Sequence, residues 1–267
     1  MKTQIFLSGK RTTALLIGLA LLSAVSGCGK TSQINDSAAV PANAPVSDSG
    51  TDAPADSSAD SEADSNTDAN GDTSIHVVAV GDNLVQQCVY QSAQAHSQDG
   101  TSYNFDYCYD NIKPLINGDL NIINQETLIC GDGFEVSGSN FNFNSPTELG
   151  DAVVGMGFNV ITMCNNHLLD KGESGLNSCL NYWDQKMQQY PDLLTCGVYR
   201  DYVDMQNIRT KEFNGKTVAF LSYTENTNGY SLPDNSELEI IYTSQEDLIQ
   251  QQIAAAKEIA AGVVAVP

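Results

Sequence analysis

Residues 74–267 predict an α/β fold built on a mostly parallel sheet covered by helices. Two observations carry that expectation. Apolar, β-branched runs alternate with helix-forming stretches, and the runs are nearly continuous instead of alternating polar with apolar. Strands of that kind are buried on both faces, as in parallel sheets. A third observation gives the pattern a functional edge: three of the runs end in residues that bind metals or move protons.

The elements follow in order. Ile75–Val80 is a β-branched strand ending in Gly81-Asp82, and a helix is expected over Phe105–Asn117. Leu120–Ile123 is the second strand and runs into Asn124-Gln125-Glu126. Asn144-Ser145-Pro146 predicts a helix start, with Ser145 as cap and Pro146 at the first helical position, continuing to about Met156. Phe158–Met163 is the third strand and leads into Asn165-Asn166-His167, after which a helix is expected from about Gly172 to Gln189. Asn214-Gly215 between Lys211–Phe213 and Thr217–Tyr223 is a hairpin signal. Gln245–Ala261 is a strong helix former, and the chain ends on the apolar run Gly262–Val266 and Pro267.

The first 73 residues are of a different kind. Lys2, Lys10 and Arg11 precede the apolar run Ala14–Val25, and Val25-Ser26-Gly27 sets small residues before Cys28. This reads as a secretory signal and resembles a bacterial lipoprotein signal, with Cys28 as the lipidated residue of an extracytoplasmic protein anchored to the cell membrane. Residues 29–73 hold nine acids, Lys30 as their one base, and no aromatic side chain. A segment so poor in apolar surface cannot offset its ordering entropy, so a disordered tether is expected.

The whole chain carries a net charge of −21; residues 74–267 hold 8 bases against 24 acids, so the folded part is acidic in its own right. That charge excludes nucleic acid as a partner and disfavours adhesion to anionic lipid. Six cysteines follow Cys28: Cys88, Cys108, Cys130, Cys164, Cys179 and Cys196. None forms a Cys-x-x-Cys pair. Disulfides are open to them in a secreted chain, and so is a role as small buried hydrophobes.

Asp82, Glu126, Asn166 and His167 stand at or just beyond strand ends. Ligands of open α/β sheets bind outside the carboxyl ends of the strands, so neighbouring parallel strands would bring these groups to one rim. Oxygen donors with one imidazole suit Mn, Mg, Fe or Zn. Such a divalent metal would polarise an oxygen or activate a water. His167 would then protonate a leaving group, and Asp170, three residues on, would fix its tautomer. Gly-Asp and Asn-Gln-Glu after a strand are also ordinary turn chemistry. His76, within a strand, and His96, in a polar segment, carry no arrangement.

Val80-Gly-Asp82, Asn124-Gln-Glu126 and above all Asn165-Asn-His-Leu-Leu-Asp-Lys-Gly-Glu-Ser-Gly-Leu176 resemble the CapA family of bacterial capsule (poly-γ-glutamate) synthesis proteins. Tyr103–Tyr107 and Lys216–Glu225 agree with it. The resemblance implies a calcineurin-like metallophosphatase domain, an α/β/β/α sandwich, acting at the cell surface in capsule polymer synthesis or export. It further implies metal ligation by Asp82, Glu126 and Asn166, with His167 as acid or metal partner and Asp170 as its support. Two departures stand out. Asp82-Asn83-Leu84 lacks the histidine of a metallophosphatase Asp-x-His, and Gln125 stands where the family has an apolar residue. The family's later histidine motifs would follow Val266, so the domain and its metal site are expected to be incomplete in this sequence. Three function classes follow: a surface lipoprotein with a phosphoesterase-like site, a non-catalytic lipoprotein binding a capsule polymer or the membrane synthesis machinery, and a solute-binding lipoprotein. The last shares the anchor and tether but not the Asn-Asn-His block.

Overall fold

The computed structural model describes residues 4–7 and 74–266. Cys28 and the acidic segment 29–73 lie outside the described residues, as does the leader apart from Gln4–Leu7. The described elements are β1 (Gln4–Leu7), β2 (Val77–Asp82), α1 (Gln87–Ala95), α2 (Asp106–Tyr109), β3 (Leu120–Asn124), β4 (Ser137–Ser139), β5 (Asn142–Asn144), α3 (Thr147–Gly155), β6 (Val160–Thr162), α4 (Gly172–Gln189), β7 (Leu194–Cys196), β8 (Val198–Tyr199), α5 (Tyr202–Gln206), β9 (Arg209–Phe213), β10 (Lys216–Ser222), β11 (Glu239–Ile240), α6 (Glu246–Ile259) and β12 (Gly262–Val266). No helix among the described residues is long and apolar enough to cross a membrane.

Two sheets face each other. The first has the order β2-β3-β6-β7, all parallel. The second has the order β1-β12-β10-β9, with β10 and β12 parallel and both outer pairings antiparallel.

Period-two alternation along the strands decides what each face covers. Leu120 and Ile122 of β3, Val160 of β6 and Cys196 of β7 meet Val218 and Phe220 of β10 and Val264 and Val266 of β12, which makes the layer between the sheets. On the other face of the first sheet, Ile123 and Ile161 pack with Val153 of α3 and Leu176, Leu180 and Trp183 of α4. Ala219 and Leu221 point outward from the second sheet and, with Val263 and Ala265, are covered by Ala256 of α6. The layer order is therefore α/β/β/α, with a parallel first sheet, as the sequence and its resemblance implied.

The long helix shows why the local sequence folds as it does. Leu176, Cys179, Leu180 and Trp183 recur at three- and four-residue steps, so one stripe of α4 is apolar and buried. Each large side chain fully buried there contributes roughly 1.5–3 kcal/mol. Trp183, the sequence's only tryptophan, is wholly buried. The Asn214-Gly215 hairpin forms as expected, both residues having positive φ (49° and 73°), the geometry a two-residue hairpin loop requires.

Two expectations are corrected. The helix expected over Phe105–Asn117 breaks into α2 and a 3₁₀ turn at Lys113–Leu115, because Pro114 has no amide hydrogen and its ring would clash with the carbonyl four residues back. Ser145 does not cap α3, whose flanking residue is Pro146; its hydroxyl pairs with that of Thr127 at 2.8 Å instead. The six described cysteines are free, with Cys130, Cys164, Cys179 and Cys196 buried. Burial pushes the Cys130, Cys164 and Cys196 thiols well above their ordinary range, so they stay protonated.

Gly197, just beyond β7, packs tightly against Cys164 and Ser222. Its φ is +107°, and a Cβ there would lie 2.6 Å from Cys164 Cβ and 2.9 Å from Ser222 Cβ. Gly197→Ala is expected to destabilise the protein by about 2 kcal/mol or more in chemical denaturation. Gly155→Ala, at a helical position with open space around it, is expected to stabilise by roughly 0.5–1 kcal/mol.

Candidate active site

The carboxyl ends of β2, β3 and β6 lie side by side because the parallel register pairs Val80 with Ile123 and Ile123 with Ile161. The backbone leaving each strand is then tied to its neighbour. Asn83 N–H donates to the Asn124 carbonyl at 2.8 Å, and Gln125 N–H to the Thr162 carbonyl at 2.9 Å. Asp82 Oδ1 accepts from Asn124 Nδ2 at 2.8 Å. The buried Asn165 amide donates to the Met163 and Gln125 carbonyls at 3.0 and 3.1 Å, while its Oδ1 accepts the His167 N–H at 3.0 Å. Asn165 is thus the clamp of the turn after β6, and it frees Asn166 and His167 to face outward from that turn.

These ties gather the residues singled out in the sequence. Asp82, Glu126 and Asn166 line one open pocket of about 380 Å³, together with Asn124, Thr224 and Glu225. His167 adjoins it, with Nε2 3.8 Å from Glu126 Oε1. On the other side of the ring, Nδ1 lies 2.8 Å from Asp170 Oδ2. The Asn228 amide stands farther from Nδ1, at 3.4 Å. The shorter contact, to a carboxylate, places the Nδ1 proton on the Asp170 side and points Nε2 at Glu126. Asp170 is itself oriented by the Phe143 N–H, which donates to the same Oδ2 at 2.8 Å.

Electrostatics follows from burial and proximity. Burial lifts the Glu126 carboxyl above its ordinary range; the charges of Asp82 and Asp170 add to this, and His167 opposes it. For His167, burial favours the neutral ring, but the Asp170 hydrogen bond and the charges of Asp170 and Glu126 outweigh it, so the imidazole pKa is raised. The arrangement is an imidazole held ready to carry a proton beside two carboxylates that repel one another.

The donor set fits a hard divalent cation better than a structural zinc. Asp82 and Glu126 supply two carboxylates and Asn166 an amide oxygen, a set that water can complete around Mg²⁺ or Mn²⁺. A cation would also offset the burial that lifts Glu126 and the Asp82 charge that adds to it. Among the described residues, no three His, Cys, Asp or Glu side chains gather closely enough to hold an ion alone, which is less than the four protein ligands of a closed zinc site.

Comparison with known proteins then fixes the family. The family model described as "Bacterial capsule synthesis protein PGA_cap" matches residues 76–267. The chain belongs to that family. It is similar to the capsule biosynthesis protein CapA of Bacillus anthracis, 26% identical over 127 residues, or 46% of this chain and 30% of that relative. Solved structures that it resembles are a putative 5'-nucleotidase from Staphylococcus aureus in complex with alpha-ketoglutarate (TM-score 0.38, 15% identity, 69% of this chain and 35% of the other) and the NAD nucleotidase NadN of Haemophilus influenzae (0.34, 12%, 58% and 26%). The chain thus spans about a third or less of the length of each of these proteins.

Gln125, where the resemblance led to an apolar residue being expected, is satisfied locally. Its buried amide accepts from Asn83 Nδ2 at 2.8 Å and donates to the Thr127 carbonyl at 2.8 Å, so no polar atom is orphaned by it. Residues to which the sequence assigned no role also stand here: Asn124 and Asn165 as clamps, Asn228 beside Asn166 and His167, and Phe141 and Phe143 around the imidazole. Alternating Phe and Asn in Asn140–Asn144 was a readable hairpin signal, but no sequence rule aims a hairpin at a histidine 24 residues away.

Asp170→Asn is expected to lower the His167 pKa, read from imidazole proton shifts against pH, with His76 and His96 as internal references. Because the folded-state value lies above the unfolded one, the pair's stabilisation is present at acid pH and is lost as pH climbs through the folded pKa. Asp170→Asn should therefore cost more stability below that value than above it.

Proposed function

We propose that this PGA_cap protein is a surface lipoprotein of capsule polymer biosynthesis or export, of the poly-γ-glutamate type, carrying a metal-dependent phosphoesterase-like site. The observation that carries the reading is the shared pocket of Asp82, Glu126 and Asn166 with the His167–Asp170 pair against Glu126. The likeness to a capsule biosynthesis protein, CapA of Bacillus anthracis, supports the process.

In this reading Asp82, Glu126 and Asn166 hold a divalent cation, which when bound polarises an oxygen of the substrate. His167 carries a proton on Nε2, on the side of the ring turned toward Glu126 and the pocket, and passes it to the departing oxygen. Asp170 holds the ring by Nδ1 throughout, and Phe143 packs edge-on against it at 4.7 Å between centroids, which limits its rotation. Anchorage through Cys28 and the acidic segment 29–73 would hold the domain off the outer membrane surface, near the polymer and the membrane synthesis machinery. An anionic polymer would approach this acidic body through bridging cations.

A second reading has an observation of its own: no three strong ligands gather among the described residues. It makes the same rim a non-catalytic, cation-dependent polymer- or partner-binding surface.

Calorimetry on the purified full chain is expected to show Mn²⁺ or Mg²⁺ binding that Asp82→Asn and Glu126→Gln each weaken by roughly tenfold or more. Turnover of simple phosphoesters should fall about 100-fold or more in His167→Gln. Cation binding without turnover would leave the binding reading; neither binding nor turnover would end both. Anchoring is tested separately: Cys28→Ala should move the protein from the membrane to the soluble fraction.

A further inference from the structure

Four non-glycine residues among those described have positive φ: Asn140 and Phe141 (55° each), Asn214 (49°) and Asn228 (53°). Asn214 serves a remote hairpin. Phe141 and Asn228 lie against the His167 ring, and Asn140 precedes Phe141 in the loop between β4 and β5. Asparagine adopts this conformation at little cost, but phenylalanine does not. Phe141 occupies the second position of the two-residue loop joining β4 and β5, where glycine is the ordinary choice. Its ring is also spent on the solvent: Phe141 is 60% exposed, so burial does not offset the strain. A strained backbone that presents an apolar ring to water calls for a reason beyond folding.

The surroundings give one. The Phe141 ring lies nearly parallel to the His167 imidazole, at 14° and 6.1 Å between centroids. The hairpin that carries it is held firmly. Gly138 lets β4 approach so closely that a Cβ would fall 2.5 Å from the Gln87 amide nitrogen. Phe143 N–H is bound to Asp170, and Asn144 Oδ1 accepts the Cys130 N–H at 2.8 Å. Phe141 is thus a fixed aromatic face beside the proton-carrying group. The pocket that His167 adjoins on its other side has no Lys or Arg in its lining; its neutral groups include Asn166, Asn226, Thr224 and Thr243, the kind that exchange hydrogen bonds with hydroxyls.

We propose that Phe141 is a substrate-contact residue that selects a hydroxyl-bearing ring, so that the phosphoester taken at this site is a sugar phosphate and not a phosphorylated open chain. The proposal rests on the phosphoesterase reading and names its substrate class. The apolar face of a pyranose ring lies on the phenyl ring, the asparagine and threonine side chains meet its hydroxyls, and the phosphoester reaches the Asp82–Glu126 pocket and Nε2 of His167.

The test compares glucose 1-phosphate with glycerol phosphate, which has no ring, using the full chain in Mn²⁺ buffer. Phe141→Ala should raise KM for glucose 1-phosphate by about five- to tenfold, the scale of one aromatic contact, and change that for glycerol phosphate less than twofold. Phe141→Trp should restore the preference. Phe141→Gly should lose it as Phe141→Ala does, yet melt at the same or a higher temperature, since glycine relieves the loop. Equal effects on both substrates, no effect on either, or a lowered melting temperature in Phe141→Gly would assign the ring to the hairpin and overturn the proposal while leaving the phosphoesterase reading intact. If the unaltered protein hydrolyses neither compound, that reading fails, and calorimetric binding of glucose 1-phosphate decides Phe141: binding weakened by Phe141→Ala supports the contact. No binding, or stronger binding of a γ-linked glutamyl oligomer that Phe141→Ala weakens, overturns it.

Discussion

The register of three parallel strands is the constraint on which the site depends. Val80, Ile123 and Ile161 stand in one row, so the chain leaves β2, β3 and β6 at a common level. Asp82, Glu126, Asn166 and His167 all follow that row closely along the chain. A slip of one residue would turn each side chain to the opposite face and carry Asp82 and Glu126 apart from His167. The register is held by burial on both faces, with Leu120 and Ile122 against the second sheet and Ile123 against the helices. Packing remote from the chemistry therefore sets the distances within it.

A second layer of control comes from amides. Asn124, Gln125 and Asn165 are buried and tie the three tips together through neutral hydrogen bonds. They bring polar groups inward without adding charge to a rim that already holds two carboxylates. In a low-dielectric setting an unpaired carboxylate is costly, and the raised Glu126 pKa records that cost. Asp170 is the exception. Its Oδ2 is doubly bonded by His167 and Phe143, while Oδ1 is buried without a hydrogen-bond partner. One strong, directed pairing is kept at the expense of the other oxygen, which suits a group whose task is to orient an imidazole.

Much of this was legible in the sequence where one physical signal dominated. The α4 boundaries, Gly172 and Gln189, follow from an unbroken apolar stripe. Asn214-Gly215 could scarcely be anything but a tight hairpin. The tips of β2, β3 and β6 were legible because continuous apolar runs stop at polar residues. What escaped depended on competition. Pro114 overrode an otherwise helical stretch, and Ser145 found a hydroxyl partner instead of a helix end. The short strands β7 and β8 carry too few residues to show a period. The neighbours of His167 were illegible for a deeper reason: Phe141 and Asn228 reach it from segments 26 and 61 positions away, and tertiary approach leaves no local pattern.

The lone indole has a consequence of its own. Trp183 lies under the first sheet, and the void beside it, about 10 Å³, is walled also by Gln125, Glu126 and Asn165. A chromophore buried there senses the local field at the underside of the pocket. Because no other tryptophan emits, the fluorescence of the unlabelled protein is a private optical gauge of events at Glu126, whether charge is neutralised there, withdrawn, or joined by a visitor.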